Sequence, residues 1–218
     1  MDFARQRALM VDTQIRPHDV TDVAVHAAFA RVPRETFAPA DRGCFAYAET
    51  EIACGPGRFL WRARDLAKLV AALDVQAEER ALVIGGGSGY PAAILAALGA
   101  RVTLLETAAH APGARAALSA AGAALNPGSV TVVEGNIVKG APGATFEVIL
   151  IAGAIETTPA SIMNQLADGG RLGCVVRRGA SGRAQIWRRS GEAVSAAELY
   201  DAAPPLLEEF AAPRAFIF

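Results

Sequence analysis

Apolar positions along the chain follow two regimes. The first extends to about residue 75 and has helical spacing. "VTDVAVHAAFARVP" (20–33) reads as an Ala-rich helix stopped at Pro33, with Thr21 as its predicted N-cap. "DLAKLVAALDV" (65–75) places Leu66, Leu69, Val70 and Leu73 at i, i+3, i+4 and i+7, one apolar helix face. Between them "ETFAPADRGCFAYAET" (35–50) and "CGPGRF" (54–59) read as loops.

From residue 81 short apolar runs alternate with helical patterns. "ALVI", "RVTLLE", "SVTVVEG", "FEVILIAG" and "RLGCVV" are the predicted strands. The helices between them are predicted over 91–98, 114–125 and 159–170, the last closed by glycine. "FEVILIAG" is the longest continuous apolar run, which predicts a central strand covered on both faces. Strands alternating with helices predict a doubly wound, mostly parallel sheet of the Rossmann-like α/β class. The end of the chain departs from this. "RAQIWRR", "SGE" and "AVSAAELY" read as an antiparallel hairpin, and "AFIF" (215–218) as a strand that closes the sheet edge.

With 218 residues and no repeat, linker or composition break, the chain is expected to be one domain, 1–218. Residues 1–75 would form its N-terminal helical segment and 76–218 its sheet core. Hydrophobic residues at 52% against 20% charged exclude a disordered chain. A net charge of −1 leaves no general affinity for nucleic acid. The twenty residues 81–100 carry charge nowhere, but four glycines and Pro91 in their middle argue against a membrane helix. The N-terminus lacks the basic start and apolar core of a secretion signal. Cys44, Cys54 and Cys174 form no metal pattern with the histidines, and an odd number of thiols fits the cytoplasm. No metal is expected, and His110, after the second strand of the core, is expected at the surface.

The glycines between "ALVI" and its helix carry the chemistry. They fall at the carboxyl end of the sheet, where α/β folds bind ligands, and a helix N-terminus there offers free N–H groups to an anion. A phosphate loop needs Gly-Lys-Ser/Thr, and no lysine lies between Lys68 and Lys139. A dinucleotide loop starting at Gly85 would need a small sixth residue, where Tyr90 stands. Tyr90 also argues against a nicotinamide dehydrogenase. Gly85, Gly86, Gly87, Ser88 and Gly89 suit a nucleoside with a small charged tail. Glu106, closing "RVTLLE", is positioned to accept both hydroxyls of a ribose. Asn136, closing the next strand, offers an amide to an adenine edge, with Ile137 beside it. The plain alternative is a structural turn and a solvated acid.

Three stretches resemble the protein-L-isoaspartate O-methyltransferases, within the class I S-adenosylmethionine-dependent methyltransferases. "VPRETFAP" (32–39) is similar to that family's "VPRExFVP". "ALVIGGGSGYPAAILAAL" is similar to "VLEIGTGSGYxAAVLAxL". "FEVILIAGAIETTPASIMNQLADGGRL" is similar to "FDxIxVTAAxxxIPxxLxxQLxxGGRL". The resemblance runs from about residue 5 to 190. It implies a seven-stranded sheet, S-adenosyl-L-methionine as cofactor, and methylation of the α-carboxylate of isoaspartyl residues in damaged proteins. Residues 1–75 would then lie on the substrate side.

The match breaks in the family's substrate segment, "IGxGQTISQPxxVA", which here reads "CGPGRFLWRARDLA" (54–67). Gly55 and Gly57 are kept. Arg58, Phe59, Trp61, Arg62 and Ala63 replace Gln, Thr, Ser, Gln and Pro. Val83 replaces an acid, Asn136 an Asp, and Ala152 to Ala154 replace "TAA". Arg58, Phe59, Trp61 and Arg62 are therefore the substrate-side candidates. Arg58, Arg62 and Arg64 could clamp a small anionic acceptor instead of a peptide carboxylate, or form a solvated basic face. No catalytic residue is assigned, because a carboxylate acceptor is already ionised and methyl transfer to it needs no general base. The altered segment also motivates a rival reading, a non-catalytic relative that keeps the fold as a binding or scaffold protein.

Overall fold

The computed structural model describes residues 2–126 and 129–213. The "AFIF" strand expected at the end lies outside them. The N-terminal segment is helical as its spacing predicts: α1 (Phe3–Met10) runs on into wider and then tighter turns to His18, and α2 spans Val23–Arg31. Asp22, not Thr21, caps α2, its carboxylate accepting from the Ala24 and Val25 amides at 2.7 and 3.4 Å. The "CGPGRF" stretch is not a loop. It is the turn and the adjoining ends of both arms of a hairpin, β1 (Ile52–Gly55) and β2 (Arg58–Leu60). Gly57, with φ +64°, makes its turn. Helix α3 (Ala63–Leu73) follows and buries Leu66, Leu69, Val70 and Leu73, its predicted face.

The sheet core is β3 (Arg80–Ile84), α4 (Tyr90–Ala97), β4 (Arg101–Glu106), α5 (Ala111–Ala120), β5 (Val130–Glu134), β6 (Phe146–Ile155), α6 (Ala160–Met163), β7 (Leu166–Arg178), β8 (Ser181–Ser190) and β9 (Ala193–Asp201). The seven strands lie in the order β5-β4-β3-β6-β7-β8-β9. The first five in that order are parallel, and β8 and β9 are antiparallel, as the hairpin pattern predicts. Strand β6 is central and buried almost throughout. The strand order reverses between β3 and β6, which opens a crevice at their carboxyl ends.

Alternation along the strands builds one core on each face. Val83, Leu104, Val148 and Leu150 pack with α3 and α4. Leu82, Ile84, Ile149 and Ile151 pack with Ile162 of α6 and with Leu207 and Phe210 near the end of the chain. Helices were expected on both faces, but among the described residues the second is covered by α6, the helical turn Glu208–Phe210 and irregular chain. The helix predicted over 159–170 stops at Met163 because Leu166 already pairs with Phe146 and draws the chain into β7. Two glycines allow the resulting irregularity: Gly169 has φ +75°, and a Cβ on Gly170 would lie 2.8 Å from the Ala167 carbonyl. Tyr90, too large for a dinucleotide loop, turns into the N-terminal layer. There its ring lies edge-on to Phe29 and Phe37, with the Arg34 guanidinium 5.0 Å from its centroid.

Arg171 ties the helical layer to the sheet. Its buried guanidinium donates to the carbonyls of Leu73 and Asp74 and to both oxygens of Glu79, at 2.6 and 2.8 Å. Burial pushes the Glu79 carboxyl up, but the Arg171 hydrogen bonds outweigh it and hold the group below the usual carboxylate range. The stability this pair adds is therefore present at neutral pH and lost as pH falls through the depressed value. Arg171→Ala is expected to cost about 2–3 kcal/mol and to flatten the acid side of the stability–pH curve; denaturant titrations of both proteins between neutral and acidic pH check this.

Candidate functional site

The crevice is lined by the ends of three strands. At the end of β3, Gly85, Gly87 and Gly89 have φ of +69°, +60° and +94°, a left-handed backbone that L side chains rarely adopt. The loop they form turns the Gly87 amide onto Glu106, at the end of β4. Glu106 is fully buried. One of its oxygens accepts from the Gly87 N–H at 2.6 Å, and the other from the Thr107 N–H at 3.1 Å. At the end of β6, Gly153 faces the same space. The loop and the acid thus come together, joined by Gly153 of β6, while the expected third member, Asn136 at the end of β5, does not share this contact.

The expected open face of Glu106 is instead taken by Arg58. The β1–β2 hairpin lowers this guanidinium into the crevice, where its Nε donates to both Glu106 oxygens at 3.1 and 3.2 Å. The side chain is buried, and its Cβ lies 3.3 Å from where a Cβ on Gly87 would be. The other edge of the fork meets Glu209, with Nη2 to Oε1 at 2.8 Å and Nη1 to Oε2 at 3.3 Å. Burial alone would weaken the Arg58 charge, but the hydrogen bonds of Glu209 and Glu106 outweigh it and raise its pKa. Burial likewise pushes the Glu209 carboxyl up, and Arg58 draws it below its ordinary value.

The remaining candidates fall in several places. Trp61 is buried, and its indole N–H donates to the Ala152 carbonyl at 3.1 Å, so it seals the wall between the hairpin and β6. Phe59 is half-buried on β2. Arg62 pairs with Glu51 at 3.0 Å and Arg64 with Glu49 at 2.7 Å. These guanidinium groups are held by the chain's own carboxylates, which corrects the expectation of a clamp for an outside anion. Asn136 is exposed, and its Oδ1 accepts from the Val138 and Lys139 amides at 3.0 and 3.3 Å; it fixes a turn. Ile137 is buried in the second core. His110 is half-buried and lines the cavity beside the loop, its Nδ1 2.9 Å from Thr107 Oγ1 and its Nε2 2.9 Å from the Pro56 carbonyl. That cavity, of about 490 Å³, is lined by Gly87 and Ser88 of the loop together with Phe37, Cys54 and α5. Burial raises the Cys54 thiol's pKa and keeps it protonated.

Two functional-looking residues were absent from the sequence reading. Leu207 and Glu209 lie in "PPLLEEF", a stretch whose paired prolines and mixed apolar and acidic residues were the available signal.

Comparison with known proteins assigns this arrangement to a lineage. The protein-L-isoaspartate(D-aspartate) O-methyltransferase family matches residues 5–201. The chain belongs to this family. It is 41% identical over 172 residues to protein-L-isoaspartate O-methyltransferase 1 of Rhodopseudomonas palustris, covering 78% of this chain and 69% of that one. It is 35% identical over 209 residues to the Roseiflexus castenholzii protein-L-isoaspartate O-methyltransferase, covering 92% and 91%. Among solved structures it superposes on a protein-L-isoaspartate O-methyltransferase from Plasmodium falciparum, in complex with S-adenosyl-L-homocysteine, with TM-score 0.80, covering 93% and 98% at 15% identity. That last likeness establishes the fold. Members of this family are S-adenosylmethionine-dependent methyltransferases.

The two acids on Arg58 differ in burial, and this sets their energetic weight. Arg58→Ala would leave the fully buried Glu106 charge without its cationic partner, at a cost of about 3–5 kcal/mol. Glu209, whose side chain is 33% exposed, is screened; Glu209→Gln is expected to cost no more than about 1 kcal/mol. Thermal unfolding of the two variants against wild type tests the order.

Proposed function

We propose that this chain transfers a methyl group from S-adenosylmethionine to the α-carboxylate of isoaspartyl residues in proteins, and that its donor is held by the Gly85–Gly89 loop and Glu106. The observation that carries the reading is the family match over residues 5–201 combined with retention of this loop and acid at the strand-order reversal. The frame fits such a donor: Gly85 and Gly87 put no side chain into the crevice, and the Glu106 carboxylate, once freed of Arg58, can accept two hydroxyls. The bound donor supplies a sulfonium methyl, which passes to a carboxylate oxygen and leaves a methyl ester and the thioether.

The chain contributes positioning to this step. A carboxylate with an ordinary pKa of about 4 is ionised at neutral pH, so no side chain has to remove a proton. Placing acceptor and methyl in line is the main source of rate. Trp61, buried, fills the face of the acceptor side where the family motif has a small hydroxyl. Its hydrogen bond to Ala152 keeps that face fixed. We place this chemistry in the cytoplasm, where its free Cys44, Cys54 and Cys174 stay reduced. Among the described residues no helix is long and apolar enough to cross a membrane.

The assay is release of base-labile methanol from an isoaspartyl peptide incubated with methyl-labelled S-adenosylmethionine and the full chain. Ester formation with the isoaspartyl peptide and none with its aspartyl isomer is expected. No ester at high enzyme concentration, with S-adenosylhomocysteine shown to bind, would overturn the acceptor assignment. In the same assay Trp61→Ser is expected to change KM for the peptide more than kcat, since it alters the acceptor's seat and removes no reacting group.

A further inference from the structure

The chain after β9 returns across the crevice. Pro205 and Leu206 lie beside the end of β6, where Leu206 bridges to Ala154 in parallel. The Ala154 amide donates to the Pro205 carbonyl at 3.0 Å, and the Leu207 amide donates to the Ala154 carbonyl at 2.9 Å. Further along, the Glu156 amide donates to the Phe210 carbonyl at 3.0 Å. The Leu207 side chain drops between the ends of β3 and β6. Its methyl carbons lie 2.8 and 3.1 Å from where a Cβ on Gly85 would be, and its Cγ would overlap one on Gly153. Two residues on, Glu209 grips the fork of Arg58, whose other edge is spent on Glu106.

We propose that residues 204–211 are a self-inhibitory strap that fills the donor crevice, latched by Arg58 between Glu106 and Glu209, and that donor binding requires the strap to lift. The proposal rests on the donor reading above and concerns the regulation of that same site. Leu207 occupies the space over the glycine loop. Arg58 occupies both oxygens of Glu106, which a ribose diol would use. Strap and nucleoside therefore compete for the space at Gly85 and Gly153, and the Arg58 that the strap latches competes with the nucleoside for Glu106. The latch is suited to release, because Glu209 is its one partly exposed member and an exposed charge pair is weak. The Arg58–Glu106 half is buried and stays intact until a diol replaces it. The strap leaves β9 through two consecutive prolines, Pro204 and Pro205, whose fixed φ gives it a stiff root to swing on.

Calorimetric titration with S-adenosylhomocysteine, on the full chain, tests this. Closing the crevice lowers the fraction competent to bind and raises the apparent Kd in proportion. The Leu207→Ala/Glu209→Gln double variant is expected to bind about tenfold or more tightly than wild type, corresponding to a competent fraction of about a tenth or less. A second pair, Ala154→Cys with Leu206→Cys in a Cys44→Ser background, pins the strap without touching the loop or Glu106. Oxidised, it is expected to lose binding; reduced with dithiothreitol, to recover it. This lock keeps the proposal open to refutation even if removing Leu207 unfolds the core. Equal affinity in wild type and the double variant, or undiminished binding by the oxidised lock, would overturn the strap and leave the donor reading standing. No binding by any variant, the reduced lock included, would overturn the donor reading and the strap with it.

Discussion

A fully buried carboxylate must have its charge met, and Glu106 at the end of β4 sets that demand for the whole crevice. The glycine loop answers with the Gly87 amide, which reaches the carboxylate only because left-handed glycines curl the backbone toward it. The β1–β2 hairpin answers with Arg58, and Arg58 in turn fixes Glu209. Hairpin, sheet and C-terminal chain are thus joined through one acid. On the proposed reading the same acid is the acceptor for the hydroxyls of the donor's ribose. Competition between an internal arginine and a ligand diol follows from that single placement.

The rest of the architecture makes the competition effective. The strand order reverses between β3 and β6, so their carboxyl ends diverge and leave room for a ligand or for chain. Among the described residues the second sheet face is covered by α6, the helical turn Glu208–Phe210 and irregular segments, and Leu207 and Phe210 complete its core. Filling the crevice and covering this face are therefore one act. Trp61 closes the neighbouring wall through its bond to Ala152. Both departures from the family's substrate motif that matter here, Arg58 and Trp61, are large side chains placed where that motif has smaller ones, and both are buried.

Much of this was legible in the sequence where the signal was local. Strand runs such as "FEVILIAG", the helix face of Leu66 to Leu73 and the glycine loop all depend on near neighbours, and each forms as its pattern predicts. Glu106 was found because the spacing of one helix and one strand after the loop is regular. What escaped was decided by distant partners. "CGPGRF" shows a turn, but the pairing of Ile52 with Leu60 that makes it a hairpin depends on packing, and the helix at 159–170 lost its end to the pairing of Leu166 with Phe146. Arg58 reads as an anion clamp, yet its anions are 48 and 151 residues away in the chain. Asn136 has the right chemistry for an adenine, while its carbonyl oxygen is spent on a turn that nothing short of the backbone path reveals.

Amide hydrogen exchange with and without saturating S-adenosylhomocysteine tests the central claim most directly. If strap and nucleoside compete for the crevice, the Leu207 amide, bonded to Ala154, and the Ala154 and Glu156 amides, bonded to Pro205 and Phe210, lose protection when the ligand binds. The Gly87 amide stays protected, since Glu106 remains in place beneath it. Unchanged or increased protection of the strap amides in the ligand-bound protein would contradict the account.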